Sequence, residues 1–134
     1  ERLLPNLAWQ VITAFAVFHH IPGDPLREQV LDKLHSLLPS GGLFFHSHWQ
    51  FLSSPRLRAR IQPWETIGLL PEQVDPGDYL LDWRQGGYGL RYVHAFTSEE
   101  LAGLALRTGF RQIETFLSDG KDDKLGLYQV WERV

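Results

Sequence analysis

The chain has 134 residues, of which 43% are hydrophobic and 22% charged, a composition typical of one folded globular domain. Its formal net charge of −3 argues against strong nonspecific nucleic-acid binding, and the absence of cysteine excludes disulfides and thiolate metal sites. No apolar run approaches the ~20 residues of a membrane span and no signal peptide is recognisable, so we expect a cytoplasmic protein without a membrane partner.

The first predicted elements form a βαβ unit between residues 7 and 42. An apolar strand, AWQVITAFAVF, runs into the polar turn HHIPGD, and Asp24-Pro25 offers an N-cap and a proline at the first helical position. Apolar residues then recur at helical spacing: Leu26, Val30, Leu31, Leu34, Leu37 and Leu38. Pro39 and Gly41-Gly42 end this helix, and a second strand follows over residues 43–51. Because the first strand is apolar on both faces, we expect a parallel sheet covered by helices.

Both strands become polar where they end. The first strand ends in His19-His20, and the second carries His46, His48 and Trp49. In open α/β sheets, ligands bind beyond the carboxyl ends of the parallel strands, so these residues predict the mouth of a binding cleft. His46 and His48 face the same side of their strand, which raises the alternative of a metal site. No carboxylate or thiolate stands at zinc-ligand spacing, so we predict no metal.

A long irregular segment, residues 53–91, follows the second strand. Ser54-Pro55 opens a short predicted helix, RLRARI, and glycine and proline punctuate the rest. Its many tryptophan, leucine and tyrosine residues need burial, so we interpret it as a lid or substrate wall of the same domain rather than a linker. The arginines of RLRARI are available for phosphates, but such a run is more often a solvated face. Trp49, Trp64 and Trp83 are candidates for base stacking, with core packing as the default.

The last third of the chain predicts a helix and a hairpin. Thr97 and Glu100 form a capping box, and Gly109 is placed as the C-cap of the helix. Residues 110–117 and 125–132 predict two antiparallel strands joined by the loop SDGKDDK.

This order of elements resembles strands four to seven of the class I S-adenosylmethionine (SAM)-dependent methyltransferase fold. HHIPGDP is similar to the turn after the fourth strand of that family, and LLPSGG is similar to its turn before the fifth. The resemblance implies an α/β fold, the C-terminal part of a Rossmann-like sheet, whose last strand is antiparallel and inserted between the two before it. Residues 1–134 then form one partial methyltransferase domain.

Two later motifs resemble a subgroup, the methyltransferases that act on the carboxymethyl group of the tRNA wobble uridine. Gly77, Asp78 and Trp83 match its first motif within DPGDYLLDWR. Arg91, Tyr92, His94 and Phe96 match its second, within LRYVHAF, although Val93 replaces an aromatic residue. The resemblance implies a tRNA substrate. The alternatives are a small-molecule methyltransferase and a non-catalytic scaffold that activates a true enzyme.

The resemblance also implies site residues. The loop after the first strand would contact the methionine part of SAM through His19 and His20, with the backbone near Ala14 and Phe15; otherwise these histidines pack in the core. The substrate side comprises Trp49, Asp82, Trp83, Arg91, Tyr92 and His94. Arg91 either binds a substrate anion through its guanidinium fork or pairs with Asp78 or Asp82. No catalytic residue is assigned.

The family's first three strands and its glycine-rich loop have no counterpart in this sequence. The sequence contains no methionine and starts at Glu1, so we expect the natural protein to begin further upstream. The strand at residues 8–18 would then be an uncovered apolar edge. We expect it to pair with an N-terminal fragment, a swapped segment or a second copy, and we expect this chain alone to bind SAM weakly or not at all.

Overall fold

The computed structural model describes residues 8–134, which form two β-sheets and three α-helices. The larger sheet consists of β1 (Val11–Phe15), β2 (Leu43–Trp49), β6 (Phe110–Ser118) and β7 (Gly126–Arg133). The smaller sheet consists of β3 (Ile61–Gln62), β4 (Asp78–Trp83) and β5 (Gly89–His94). The helices are α1 (Asp24–Leu37), α2 (Pro55–Arg58) and α3 (Ser98–Arg107). Short 3-10 turns cover Phe18–His20, Phe51–Ser53, Trp64–Ile67 and Pro71–Gln73.

The larger sheet has the strand order β1-β2-β7-β6. β1 and β2 are parallel, whereas β7 is antiparallel to both β2 and β6 and lies between them. This order confirms the predicted α/β fold with an inserted antiparallel last strand. Because β1 and β2 are adjacent and parallel, their carboxyl ends lie side by side and bring their polar residues together.

Helix α1 begins one residue earlier than the sequence predicts, because Asp24 is its first helical residue rather than its N-cap. Gly23, with φ of +78°, is the N-cap, and Asp24 is the first helical residue. The Asp24 carboxylate accepts a hydrogen bond from Arg27 at 2.9 Å instead of capping the helix. The predicted apolar stripe is also wrong at one end, because Leu26 is exposed while Arg27 is buried. A charged residue therefore occupies the inner face of the first turn.

Helices α1 and α3 pack against the same face of the larger sheet. The buried core that they share with it contains Phe18, Leu31, Leu38, Phe44, Phe96, Leu101, Leu104, Ala105, Phe110 and Trp131. On the opposite face, Val11, Thr13 and Phe15 are exposed. The expectation that helices cover both faces of the first strand is therefore wrong for the part of the chain that the structure describes, because both crossing helices return on one side.

The smaller sheet is an element that the sequence pattern does not predict as a whole. Its strands pair antiparallel in the order β3-β4-β5, within the segment interpreted as irregular. A second buried cluster of Phe51, Leu57, Leu81 and Val93 supports it. The predicted helix RLRARI is shortened to the single turn α2, because Ile61 enters β3.

The predicted end of the chain is confirmed with small shifts. The Thr97 hydroxyl accepts from the Glu100 N–H at 3.2 Å, and the Glu100 carboxylate accepts from the Thr97 N–H at 2.7 Å. Thr108, not Gly109, is the C-cap, and Gly109 follows it with φ of +77°. Between residues 8 and 134, no helix is long and apolar enough to cross a membrane.

Candidate functional site

Three aromatic residues meet where β1 and β2 end. β1 ends at Phe15 because Ala16 takes a left-handed φ of +54°, with its N–H hydrogen-bonded to Ser47. The chain then forms the 3-10 turn that carries His19 and His20. Their rings lie 4.9 and 5.5 Å from the Trp49 ring. The predicted gathering of polar residues at this edge is therefore present.

Hydrogen bonds fix the tautomers of the two histidines in this turn. His19 Nδ1 accepts from the Trp49 backbone N–H at 3.3 Å, so in the neutral ring the proton lies on Nε2. His20 Nδ1 lies 2.9 Å from the Tyr92 carbonyl, which can only accept, so its neutral ring has a lone pair on Nε2. The turn thus offers one N–H donor and one nitrogen acceptor.

His46 and His48 form a buried pair behind this turn. His46 Nδ1 lies 2.8 Å from His48 Nε2, so one ring donates and the other accepts. Burial lowers the pKa of His46 to about 3 and that of His48 well below its ordinary value. Burial also lowers the pKa of His19 to about 2, with a further contribution from His20. All three rings are therefore neutral at pH 7.

One nitrogen in each of these three buried rings has no hydrogen-bond partner: His19 Nε2, His46 Nε2 and His48 Nδ1. Such orphaned groups are uncommon in native interiors and call for an explanation. Among residues 8–134, no group of three or more histidine, aspartate or glutamate side chains is arranged to hold a metal ion.

Arg91 extends from β5 towards the same edge. Its ζ carbon lies 4.6 Å from the centroid of the Trp49 ring and 4.3 Å from that of Trp83. The expected alternative, an ion pair with Asp78 or Asp82, is wrong, because both carboxylates are engaged elsewhere. Burial lowers the pKa of Arg91, and the nearby Arg60 lowers it further.

The 3-10 turn with His19 and His20 is called the histidine turn below. Asp82 takes no part in the contacts that bring Arg91 and Trp49 to this turn. Its carboxylate accepts from Arg84 at 2.8 and 3.1 Å and from Gln62 at 3.1 Å. The hydrogen bond from Arg84 lowers the pKa of the Asp82 carboxyl. These contacts give Asp82 a structural partner, although the sequence places it on the substrate side.

Tyr92 and His94 lie on the opposite face of β5 from Arg91, as their alternation predicts. Asp78 accepts from the Tyr92 hydroxyl at 2.6 Å and lies 2.7 Å from His94 Nδ1. His94 Nε2 lies 2.9 Å from a Glu100 oxygen, and Arg27 donates to the Tyr92 hydroxyl at 2.7 Å. Burial raises the pKa of Tyr92 above its ordinary value, with the bond to Asp78 next in importance. We call these five residues the Asp78 network.

Gly77 has a steric reason for its place beside this network. Its φ is +89°, and a Cβ on it would lie 2.9 Å from Cε1 of His94. Any larger residue therefore meets both backbone strain and the imidazole ring. The Gly-Asp motif is explained by packing around His94.

The structure separates the predicted site residues into distinct places. His19, His20, Trp49, Trp83 and Arg91 come together, whereas Tyr92 and His94 belong to the Asp78 network. Ala14 contacts the core below α1, and the Phe15 ring lies on the opposite sheet face, 5.9 Å from Tyr128. Sequence reasoning missed Arg27, whose signal was its helical spacing with the buried Leu31.

A surface cavity of about 660 Å³ lies elsewhere, lined by residues 53–56, residues 120–122 and Leu125. These residues belong to the start of α2 and to the loop between β6 and β7. None of them belongs to the histidine turn or to the Asp78 network.

The family of the chain follows from its match to known proteins. The model of the methyltransferase domain family matches residues 3–115, most of the chain. The chain belongs to this methyltransferase domain family. No curated protein sequence matches the chain significantly.

Solved methyltransferase structures share the fold of this methyltransferase domain. A SAM-dependent methyltransferase from Methanosarcina mazei superposes with a TM-score of 0.68 at 16% identity, over 95% of this chain and 60% of its own. A 1,6-didemethyltoxoflavin N1-methyltransferase from Burkholderia thailandensis gives 0.55 at 18% identity, over 91% and 43%. A glycopeptide N-methyltransferase complexed with S-adenosylhomocysteine gives 0.60 at 15%, over 93% and 54%. The domain thus spans about 60% of the length of the first of these.

Proposed function

We propose that this chain is part of a SAM-dependent methyltransferase and contributes the side of the site that binds the methyl acceptor. The observation that carries this proposal is the meeting of His19, His20 and Trp49 at the carboxyl ends of β1 and β2, opposite Arg91. That edge is where open α/β sheets bind ligands. SAM supplies an electrophilic methyl group on its sulfonium sulfur.

The histidine turn has the chemistry to contact the methionine part of SAM. That part carries a carboxylate, which accepts hydrogen bonds, and an ammonium group, which donates them. The buried His19 Nε2–H has no partner, and His20 Nε2 has an acceptor lone pair. We propose that these two nitrogens, with the backbone near Ala14 and Phe15, contribute this chain's share of the cofactor site.

We expect calorimetry with SAM to separate this chain from the full-length gene product. The chain spans about 60% of the length of the M. mazei enzyme, so we propose that residues outside it complete the SAM site. The full-length product should bind SAM with micromolar affinity, and the 134-residue chain should show weak binding or none. Micromolar binding by the isolated chain would contradict this division. If the full-length product did not bind SAM, the non-catalytic scaffold would replace the enzyme.

We propose that residues 53–91 form the wall of the acceptor pocket. The smaller sheet places Trp83 and Arg91 against Trp49 at the end of β2, so a molecule bound there meets both sheets. We propose a small molecule as the acceptor at this edge. The named acceptors of two structural neighbours, a didemethyltoxoflavin and a glycopeptide, are small molecules as well.

The carboxymethylated wobble uridine of tRNA is the second candidate acceptor. The residues of the two motifs around Asp78 and Arg91 favour a tRNA acceptor, since they match the methyltransferases that act on the tRNA wobble uridine. Against it, Asp78, Tyr92 and His94 bind one another, which gives three of the matching residues a structural role. tRNA binding by the full-length product, lost in Arg91→Ala with folding retained, would support the tRNA enzyme.

We propose that the outer edge of β1 pairs with a strand from the preceding part of the gene product. In the described residues β1 has β2 as its one strand neighbour, and Val11, Phe15 and Val17 are exposed. An unpaired apolar edge promotes association. Light scattering should therefore show dimers or larger species of the isolated chain, and a monomeric full-length product. A monomeric isolated chain that does not aggregate would contradict the proposal, and dimers of the full-length product would indicate a second copy.

A further inference from the structure

Arg91 is a cation held in place without a counter-ion. Its guanidinium lies over the rings of Trp49 and Trp83, at 4.6 and 4.3 Å. Contacts of this kind use the flat faces of the guanidinium and leave the N–H groups at its edge available. The two indoles therefore hold the guanidinium in position without a hydrogen bond to its Nε, which is buried and has no partner.

The carboxylates closest in sequence and register do not neutralise Arg91. Asp82 pairs with Arg84, and Asp78 accepts from Tyr92. In the described part of the chain, no carboxylate lies within 4 Å of the Arg91 guanidinium, and its buried Nε has no hydrogen-bond partner. Arg60 lies near enough to repel it. A buried N–H group without a hydrogen-bond partner is energetically unfavourable, so an anion that accepts a hydrogen bond from Arg91 would remove this cost.

The guanidinium of Arg91 lies at the candidate site. Trp49, on which the guanidinium packs, also contacts the rings of His19 and His20. The Tyr92 carbonyl, one residue beyond Arg91, is bonded to His20. An anion on Arg91 would thus lie beside the turn that we assign to SAM.

We propose that Arg91 is the receptor for a carboxylate group of a small methyl acceptor, with Trp49 and Trp83 fixing the guanidinium fork. A carboxylate matches the fork in shape and accepts two parallel N–H bonds. Its oxygen lone pairs are then engaged with the fork, so the carboxylate anchors the acceptor and a different atom of the acceptor faces the methyl group. This role rests on the methyltransferase function proposed above and deepens it by naming the acceptor class.

Side-chain NMR of the full-length gene product tests the assignment. The arginine Nε–H resonances are followed during titration with benzoate and, separately, with the neutral isostere benzamide. The Arg91 resonance is the one that disappears in Arg91→Lys. We expect it to shift to saturation during titration with benzoate and to stay unshifted with benzamide. No shift of that resonance, or equal shifts with both probes, would overturn the proposal.

Three variants distinguish the effect of the guanidinium fork on benzoate binding from the effects of positive charge and of folding. Arg91→Met should weaken benzoate binding at least tenfold, and Arg91→Lys should weaken it nearly as much because a point charge lacks the fork. Arg58→Met, at an exposed arginine of α2, should bind as the parent does. Thermal unfolding by circular dichroism confirms that each variant is folded. Parental affinity in a folded Arg91→Met protein contradicts the assignment.

Two further binding measurements, with SAM and with tRNA, distinguish a failure of this inference from a failure of the proposed function. If SAM binds and benzoate does not, the acceptor class is wrong while the methyltransferase function stands. If benzoate binds through Arg91 and SAM does not, the proposed function is wrong and the anion site stands. If tRNA displaces benzoate and binds in an Arg91-dependent manner with higher affinity, a tRNA phosphate or carboxylate replaces the small acceptor.

Discussion

Lowering the pH from 7 to 5 should remove several kcal/mol from the free energy of unfolding, because three buried imidazoles must take up protons. His19, His46 and His48 are each about 1% exposed or less. Burial lowers the pKa of His19 to about 2 and that of His46 to about 3. Burial also holds the pKa of His48 well below its ordinary value. The folded state therefore keeps all three rings neutral over this range.

The sign of the effect follows from proton binding. In the unfolded chain a histidine titrates near pH 6.5, so below this pH the unfolded state binds more protons than the folded state. Stability is thus complete above about pH 6.5 and falls as the pH drops towards the folded-state values. Between pH 7 and 5, His19 and His46 each cost about 2 kcal/mol, and His48 adds in the same direction. Since domains of this size have about 5–15 kcal/mol in total, the loss is a large part of it.

Urea unfolding at a series of pH values measures this dependence. His46→Gln retains a side chain that can bond His48 but cannot titrate, so it should lower the number of protons taken up on unfolding by about one. Phe44→Leu is the matched control, because Phe44 stacks on His46 and carries no titratable group. It should reduce stability at every pH and leave the pH dependence unchanged. A free energy of unfolding that is flat between pH 7 and 5 would contradict the neutral, buried state of these rings.

Local signals in the sequence predicted those elements that are determined by neighbouring residues. The βαβ unit follows from two apolar strands and the punctuation at Pro25 and Gly41-Gly42, and the capping box at Thr97 and Glu100 fixes α3. The smaller sheet did not follow, because β4 carries no alternation and pairs with β3 across a segment rich in glycine and proline. Gly86-Gly87, between β4 and β5, is a sequence signal that indicates a hairpin at this position.

The candidate site was predictable as a set of residues and not as a set of contacts. Parallel strands place His19, His20 and Trp49 at one edge, and their meeting follows from the βαβ unit alone. The partner of Tyr92 is Arg27, 65 positions away, in the inner face of α1 where the pattern predicts apolar contacts. Likewise, Asp82 prefers Arg84 two residues along the strand to Arg91 across it. The Arg27–Tyr92 contact depends on how the smaller sheet packs against α1, which no local pattern contains, and the pairing of Asp82 with Arg84 leaves Arg91 to pack against Trp49 and Trp83.

Replacing Arg27 with methionine should destabilise the protein by about 2–6 kcal/mol, because it leaves two part-buried hydrogen-bond acceptors without their donor, at about 1–3 kcal/mol each. The Arg27 side chain is 2% exposed. It donates to the Ile21 carbonyl at 2.9 Å and to the Tyr92 hydroxyl at 2.7 Å, and lies 5.0 Å above the Phe96 ring. Methionine preserves much of the volume and leaves these acceptors unpaired. Urea unfolding at pH 7 measures the change.

A double-mutant cycle tests whether Arg27 acts through the Asp78 network. Tyr92→Phe removes the hydroxyl that receives from Arg27 and donates to Asp78, and should cost about 1.5–3 kcal/mol. The double variant should be more stable than the sum of the single changes implies, by about 0.5–3 kcal/mol. Tyr79→Phe, on β4 and packed against Phe51 outside the network, is the matched control. Additive effects of Arg27→Met and Tyr92→Phe would show that the two residues are independent.

The same cycle connects stability to binding. Arg27 lies on α1, Glu100 on α3 and Tyr92 on β5, so the network joins the smaller sheet to the helices that cover the larger one. Arg91 is adjacent to Tyr92, and its position relative to the histidine turn depends on this junction. Tyr92→Phe should therefore weaken benzoate binding in the folded protein while Tyr79→Phe does not. Equal benzoate affinity in both variants would mean that the indole rings alone position Arg91.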